Sequence, residues 1–210
     1  MIHPHTELRA IDDAIGHGVF ATKRIPRGTI TWTLDSLDQR FSPERMARLG
    51  PDYLELMEHF AYPNGSGDWI LCWDLGRWMN HSCNPNALST GWDIDFALRD
   101  IEVGEQLTTD YASLNVEASF DCLCGEPNCR GRISAADFEP MAETWDKLLR
   151  ESAAMCLSVE QPLWNWIENK AEVRAGCQNP ETIPSILGHR RETAPPSQTG
   201  GRPAPGAARS

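Results

Sequence analysis

The stretch Arg77-Trp78-Met79-Asn80-His81-Ser82-Cys83-Asn84-Pro85-Asn86 decides how this chain is read. An amide, an imidazole and a thiol crowd into four positions and are followed by Asn-Pro. An Asn-Pro turn with side chain to backbone hydrogen bonds accounts for the bend but not for the chemistry. The alternative is a loop whose polar groups converge on a ligand. Three further stretches share that density. Upstream lies Gly16-His17-Gly18-Val19-Phe20-Ala21, a GxG that opens an apolar run. Downstream lie Gly104-Glu105-Gln106-Leu107-Thr108-Thr109-Asp110-Tyr111, and then Phe120-Asp121-Cys122-Leu123-Cys124-Gly125 through Cys129-Arg130-Gly131. A lone GxG is usually a turn; its functional reading is backbone exposed to a ligand, since glycine has no side chain in the way. A Tyr closing a strand usually packs or bonds to backbone.

The cysteines carry the strongest single signal. Three of seven fall between Cys122 and Cys129. A disulfide framework belongs to secreted chains, and the opening MIHPHTELRA has no basic n-region followed by an apolar run. The cluster therefore reads as a metal site. A closed structural zinc site takes four tetrahedral ligands, so a fourth must come from elsewhere: Cys83, Cys72, Cys156, Cys177 or a histidine.

Composition bounds the rest. The 210 residues are 40% hydrophobic and 23% charged, the profile of a folded protein able to bury a core. Lys and Arg number 19 against 30 Asp and Glu, a formal net charge of −11. That argues against a nucleic-acid binder, which needs a basic face, and against docking on anionic lipid. It suits a basic protein partner. No window approaches 18 consecutive apolar residues, so no membrane span is expected. The reading is a soluble intracellular protein, cytoplasmic or nuclear.

Along the chain, residues 1–41 read as two or three short strands joined by Gly and Pro turns. Ser42-Pro43 opens a helical pattern that Gly50-Pro51 splits in two. Residues 64–68 read as a turn, 69–73 as a buried strand, and 92–111 as two strands around a turn at Val103-Gly104-Glu105. Residues 135–153 and 159–175 read as helices. From Gly188 the chain is rich in Pro, Gly, Ser and Ala and is expected to be disordered. That tail nets +3, so the residues before it carry −14.

Taken in order, the four motif stretches resemble SET-domain protein-lysine methyltransferases with a post-SET zinc motif. The family's GxG, RFxNHSCxPN, GEELTxDY and FxCxCGxxxCRG patterns are matched across roughly residues 5–133. The resemblance implies an α+β, mainly β fold: small curved β-sheets with the NHSC segment threaded as a pseudoknot, a post-SET zinc loop and C-terminal helices. It divides the chain into a SET domain (1–117), the zinc loop (118–133), a helical extension (134–187) and a tail (188–210).

The resemblance also assigns roles. Ile15, Gly16, His17 and Gly18, with Asn80 and His81, would contact S-adenosylmethionine. Cys83 would join Cys122, Cys124 and Cys129 on one structural zinc. Tyr111 would be the catalytic phenol. The activity implied is methyl transfer to a lysine side chain of a protein or peptide with a basic segment, without direct nucleic-acid or membrane binding. The competing readings are a non-catalytic SET-fold module that keeps its zinc and binds a partner, and a purely zinc-dependent interaction module. The strand Thr31-Trp32-Thr33-Leu34-Asp35-Ser36 departs from the family's EYxGE-like run, which leaves peptide preference open.

Overall fold

A computed structural model describes residues 1–191, as five small sheets with helices packed against them. Strand β1 (Thr6–Ala10) pairs antiparallel with β2 (His17–Ala21), which begins inside the GHG motif. Strands β3 (Ile30–Thr33) and β4 (Gln39–Phe41) follow, so the first 41 residues hold four strands. Ser42 caps α1 (Pro43–Met46) by accepting from the Arg45 N–H, and Pro43 sits where the helix needs no donor. Pro51 likewise opens α2 (Pro51–Phe60). The insert continues through β5 (Ala61–Pro63) and β6 (Trp69–Leu71), which form a sheet in the order β4-β6-β5. Between the last two, Gly67 takes φ +88°, a conformation glycine tolerates best, and closes the 64–68 turn.

Strand β7 (Asn80–His81) carries the central motif, and β8 (Ala87–Ser89) and β9 (Ile94–Ala97) follow. β9 is buried along its whole length and lies between β3 and β8. Strand β10 (Thr108–Thr109) pairs in parallel with β7. The two strands expected around Gly104 therefore form, but they do not pair with each other; each finds a partner distant in sequence. β11 (Phe120–Asp121) and β12 (Arg132–Ile133) close the cysteine loop as a short antiparallel ladder. The class is α+β, mainly β, as expected.

Helix α3 (Phe138–Ala153) starts after a capping box in which the Asp137 carboxylate accepts from the Ser134 N–H at 2.7 Å. Phe138, Ala142, Trp145, Leu149 and Ala153 form its buried stripe. They join β9, Phe120 and Ile133 in one core. The helix expected over 159–175 is not continuous. A 3-10 turn, Trp164–Trp166, comes first and α4 spans Lys170–Gln178. Gln161 explains the break. Its amide donates to the Gly28 and Cys156 carbonyls at 2.8 and 2.9 Å and accepts the Ile30 N–H at 2.9 Å. Those bonds tie this segment to β3, and Trp166 is left 52% exposed.

Residues 188–191, which composition places in the tail, are ordered against the body. The Arg191 N–H donates to Asn115 Oδ1 at 2.8 Å, and Asn115 Nδ2 donates to the His189 carbonyl at 2.8 Å. The disorder expected over 192–210 lies outside the described residues.

Candidate active site and metal centre

Backbone pairing brings the four motifs together. Asn80 Nδ2 donates to the His17 carbonyl at 2.8 Å, joining the NHSC loop to the GHG turn. Leu107 N–H donates to the Val19 carbonyl at 2.8 Å and Ala21 N–H to that of Glu105 at 2.9 Å, so the GEQL segment lies along β2. β7 and β10 then pair, and Ser82 N–H extends the contact to the Thr109 carbonyl at 3.0 Å. Asn86, almost fully buried, fastens the same segment: its amide donates to the Gln106 carbonyl at 2.7 Å and accepts the Thr108 N–H at 2.9 Å.

The two glycines of GHG do different work. Gly16 sits at φ +82° with open space around it, and Ile15 and Gly16 belong to a turn capped by Asp12. Gly18 is closely packed instead. A Cβ there would lie 2.6 Å from Gln106 Nε2, 2.8 Å from Ile11 Cδ1 and 3.0 Å from Asn80 Nδ2. Beside it Gln106 Nε2 is buried without a hydrogen-bond partner, a donor available to an acceptor at this junction. His17 stands edge-on to Trp78 at 5.4 Å, and Trp78 edge-on to Phe60 at 4.7 Å. Aromatic rings set edge to face, open backbone at Gly16 and an unpaired buried donor suit a ligand with a ring and an acidic end, the chemistry of S-adenosylmethionine.

Tyr111 begins the 3-10 turn Tyr111–Leu114, capped by Asp110, whose carboxylate accepts the Ala112 N–H at 3.1 Å. Its hydroxyl donates to the Met79 carbonyl at 2.7 Å. Its N–H donates to His81 Nδ1 at 3.1 Å. Burial pushes the phenol above its ordinary range. The hydroxyl proton is committed to Met79, which leaves the oxygen free to act as an acceptor.

His81 follows from the same bonds. Nδ1 accepts, so the proton of the neutral ring is on Nε2, which faces Cys83 Sγ at 3.4 Å and donates to it. Burial, with the Arg130 cation nearby, pushes the imidazole down to about 4, which keeps it neutral. Both ring nitrogens are thus engaged inside the protein. The sequence reading turns this residue toward the cofactor; the structure points its ring at the thiols and at Tyr111.

His81, Cys83, Cys122 and Cys124 bring their ligand atoms within 4.8 Å of one another. Cys83 and Cys122 sulfurs are 3.8 Å apart, which matches the ~3.8 Å edge of a tetrahedron with ~2.3 Å zinc–sulfur bonds. Cys129 lies at the rim: its thiol interacts with those of Cys122 and Cys124, and its sulfur accepts the Gly131 N–H at 3.3 Å. The four residues whose ligand atoms converge thus include His81 and not Cys129, the fourth residue that the resemblance assigns. Burial pushes the Cys124 thiol up, but backbone N–H groups and the neighbouring thiols outweigh it and bring it down to about 7. The donor set fits a thiophilic cation such as zinc.

Two residues to which the sequence reading gives no role lock this centre to Tyr111. Asp110 is fully buried, and Arg130 Nη2 donates to its Oδ1 at 2.6 Å. The Arg130 backbone N–H donates to Cys83 Sγ at 3.4 Å. Burial pushes the Asp110 carboxyl up and Arg130 opposes that shift. Both residues lie inside the quoted motifs, so the motif text held the signal, but only the fold shows that they meet.

No helix among the described residues is long and apolar enough to cross a membrane. Comparison with known proteins adds a name to this geometry. Residues 16–112 match the SET domain family model. A histone-lysine N-methyltransferase of Arabidopsis thaliana, ASHH3, is 41% identical over 147 residues, covering 60% of this chain and 37% of that protein. An H3 lysine-36 specific histone-lysine N-methyltransferase of Mycosarcoma maydis is 33% identical over 135 residues, 56% of this chain and 13% of that protein. A protein of the same description from Candida albicans is 28% identical over 184 residues, 80% of this chain and 21% of that protein. The chain thus spans well under half of the length of each. Motif order, pairing geometry and these likenesses agree that residues 16–112 form a SET domain similar to those of histone-lysine methyltransferases.

Proposed function

We propose that this chain transfers a methyl group from S-adenosylmethionine to a lysine side chain of a basic protein segment, with histones the substrate class suggested by its relatives' names. Tyr111 carries the reading. Its oxygen and the Met79 carbonyl stand together as acceptors, with the hydroxyl proton already spent between them. A neutral amine donating to that oxygen would have its lone pair turned toward the cofactor pocket. A lysine amine is protonated in water, with a pKa of about 10.4, so it must shed a proton before it attacks. An apolar approach favours the neutral form by desolvation. The phenol is not suited to take that proton, because its own pKa is raised rather than lowered. Its work is alignment and electrostatic support of the transferring methyl.

The bound cofactor would supply an electrophilic methyl on a sulfonium. Gly16, His17 and Asn80 would hold it, with Trp78 as a wall and Gln106 as a donor. Cys83, Cys122, Cys124 and Cys129 would hold one zinc as a closed structural site, with no open position to activate water. Arg130 would carry the order of that loop to Asp110 and so to the turn bearing Tyr111. The net acidity of the body would draw in a basic substrate.

The test is methyl transfer from labelled S-adenosylmethionine to core histones, followed by mapping of the label. Label on lysine supports the proposal. Cofactor binding without label on any protein would leave the non-catalytic module instead.

A further inference from the structure

The C-terminal segment that closes over the body makes contacts that a packing element does not need. Residues 189–191 pass between the 64–67 turn and the end of the Tyr111–Leu114 turn. Asn115 stands there in the left-handed region, at φ 54°. Its side-chain amide reads main chain only: Nδ2 donates to the His189 carbonyl and Oδ1 accepts the Arg191 N–H, both at 2.8 Å. Bonds to main chain alone serve a segment whatever its side chains. Gly65 makes room for the passage. A Cβ there would lie 2.9 Å from the His189 carbonyl oxygen and 3.0 Å from its carbon.

The side chains of the segment then meet acids on three separate elements. Arg190 pairs with Glu139 at 3.1 Å, Arg191 with Glu117 at 2.5 Å, and His189 faces Asp93 at 3.9 Å. Gly188 and His189 end the 3-10 turn Ile186–His189 and Arg190 leaves it extended, at φ −66° and ψ 122°, so the groove holds a short cationic segment, and it begins four residues after Tyr111. The sequence from Gly188 onward carries four arginines and no lysine. It offers the charge of a substrate without a methyl acceptor.

We propose that residues 188–191 are an intrasteric strap, which holds the docking groove for a basic substrate segment and must be displaced before that segment binds. The proposal rests on the lysine methyltransferase reading above. Because the strap is tethered, it competes at a high effective concentration. Main-chain bonds to Asn115 and exposed ion pairs are each modest. A groove closed about nine-tenths of the time would raise the apparent substrate KM about tenfold.

The experiment uses the full chain and its Arg190→Glu, Arg191→Glu double variant, in which the strap faces Glu139 and Glu117 with like charge. The probe is a synthetic arginine-rich peptide with one lysine. Hydrogen exchange at the Arg191 amide needs no turnover. The proposal expects that amide to be protected in the wild type and released both by the substitutions and by saturating peptide. It expects KM for the peptide to fall about tenfold in the variant, with kcat and cofactor affinity unchanged. An Arg191 amide that stays protected under saturating peptide overturns the proposal. So does an unchanged KM in a variant whose strap is open. If no form methylates, the methyltransferase reading fails, and exchange at Arg191 alone decides the strap.

Discussion

Replacing Arg130 by Met tests the link between the cysteine loop and the Tyr111 turn. The substitution keeps much of the volume and leaves the backbone N–H that faces Cys83. It removes the cation 2.6 Å from Asp110, whose side chain is 0% exposed while that of Arg130 is 19% exposed. Breaking a buried pair by deleting one partner costs about 3–5 kcal/mol, because a charge is left buried and alone. Partial exposure of Arg130 places this case at the lower end, about 3 kcal/mol. For a chain of this size that corresponds to a fall of roughly 6–12 °C in Tm.

The pH dependence has a definite sign. Burial already raises the Asp110 carboxyl and Arg130 holds it back, so the variant raises it further. A raised folded-state pKa means that the cost is present above that pKa and fades as pH falls through it toward the unfolded value. Adding Asp110→Asn removes the stranded charge and should recover at least about 1 kcal/mol in a double-mutant cycle. Urea and thermal unfolding across pH 5–8, with zinc content measured on the same samples, would decide it. A loss below about 1 kcal/mol, or a deficit that grows as pH falls, would refute the reasoning.

Three further outcomes are expected. Cys124→Ser should drop zinc from one ion per chain to none and unprotect the 120–133 ladder in hydrogen exchange, since a structural site contributes folding energy directly; full zinc retention would contradict the ligand assignment. Asp95 is buried, and burial, against the opposing Ser89, pushes its carboxyl up to about 7. The folded state then keeps a proton that the unfolded state releases near pH 4. Stability from this group falls as pH rises from about 4 to 7, by about 4 kcal/mol in all, and Asp95→Asn should flatten that slope in pH-dependent unfolding. An unchanged slope would show that Asp95 does not titrate in this window. Gly18→Ala drives a methyl into Gln106, Ile11 and Asn80; a cost of about 1–3 kcal/mol and weaker cofactor binding by calorimetry are expected, and wild-type values would remove the close packing from the account.

The local rules carried well where the cause was local. Ser42-Pro43 and Gly50-Pro51 marked two helix starts, and the apolar stripe of residues 138–153 marked a third. They failed where a distant group decided. Gln161 breaks the 159–175 pattern because its amide is held by Gly28 and Ile30, more than a hundred residues earlier. Composition marks 188–191 as tail, yet Asn115 and Gly65 order it. In the site, the motifs named residues that the fold brings together. What the motifs did not display was direction: that the His81 ring faces sulfur, that Gly18 serves packing while Gly16 stays open, and that Asp110 and Arg130 meet. Those depend on pairings between segments 20 to 88 residues apart.

The central claim rests on one hydroxyl, so Tyr111→Phe tests it most directly. The change removes the hydroxyl that donates to Met79 and, in this proposal, would accept from the substrate amine, with almost no change in volume. Cofactor affinity, zinc content and Tm should stay close to wild type, while kcat for lysine methylation falls on the order of 10²–10³. A variant that binds S-adenosylmethionine normally and still methylates lysine within a few-fold of wild type would contradict the account.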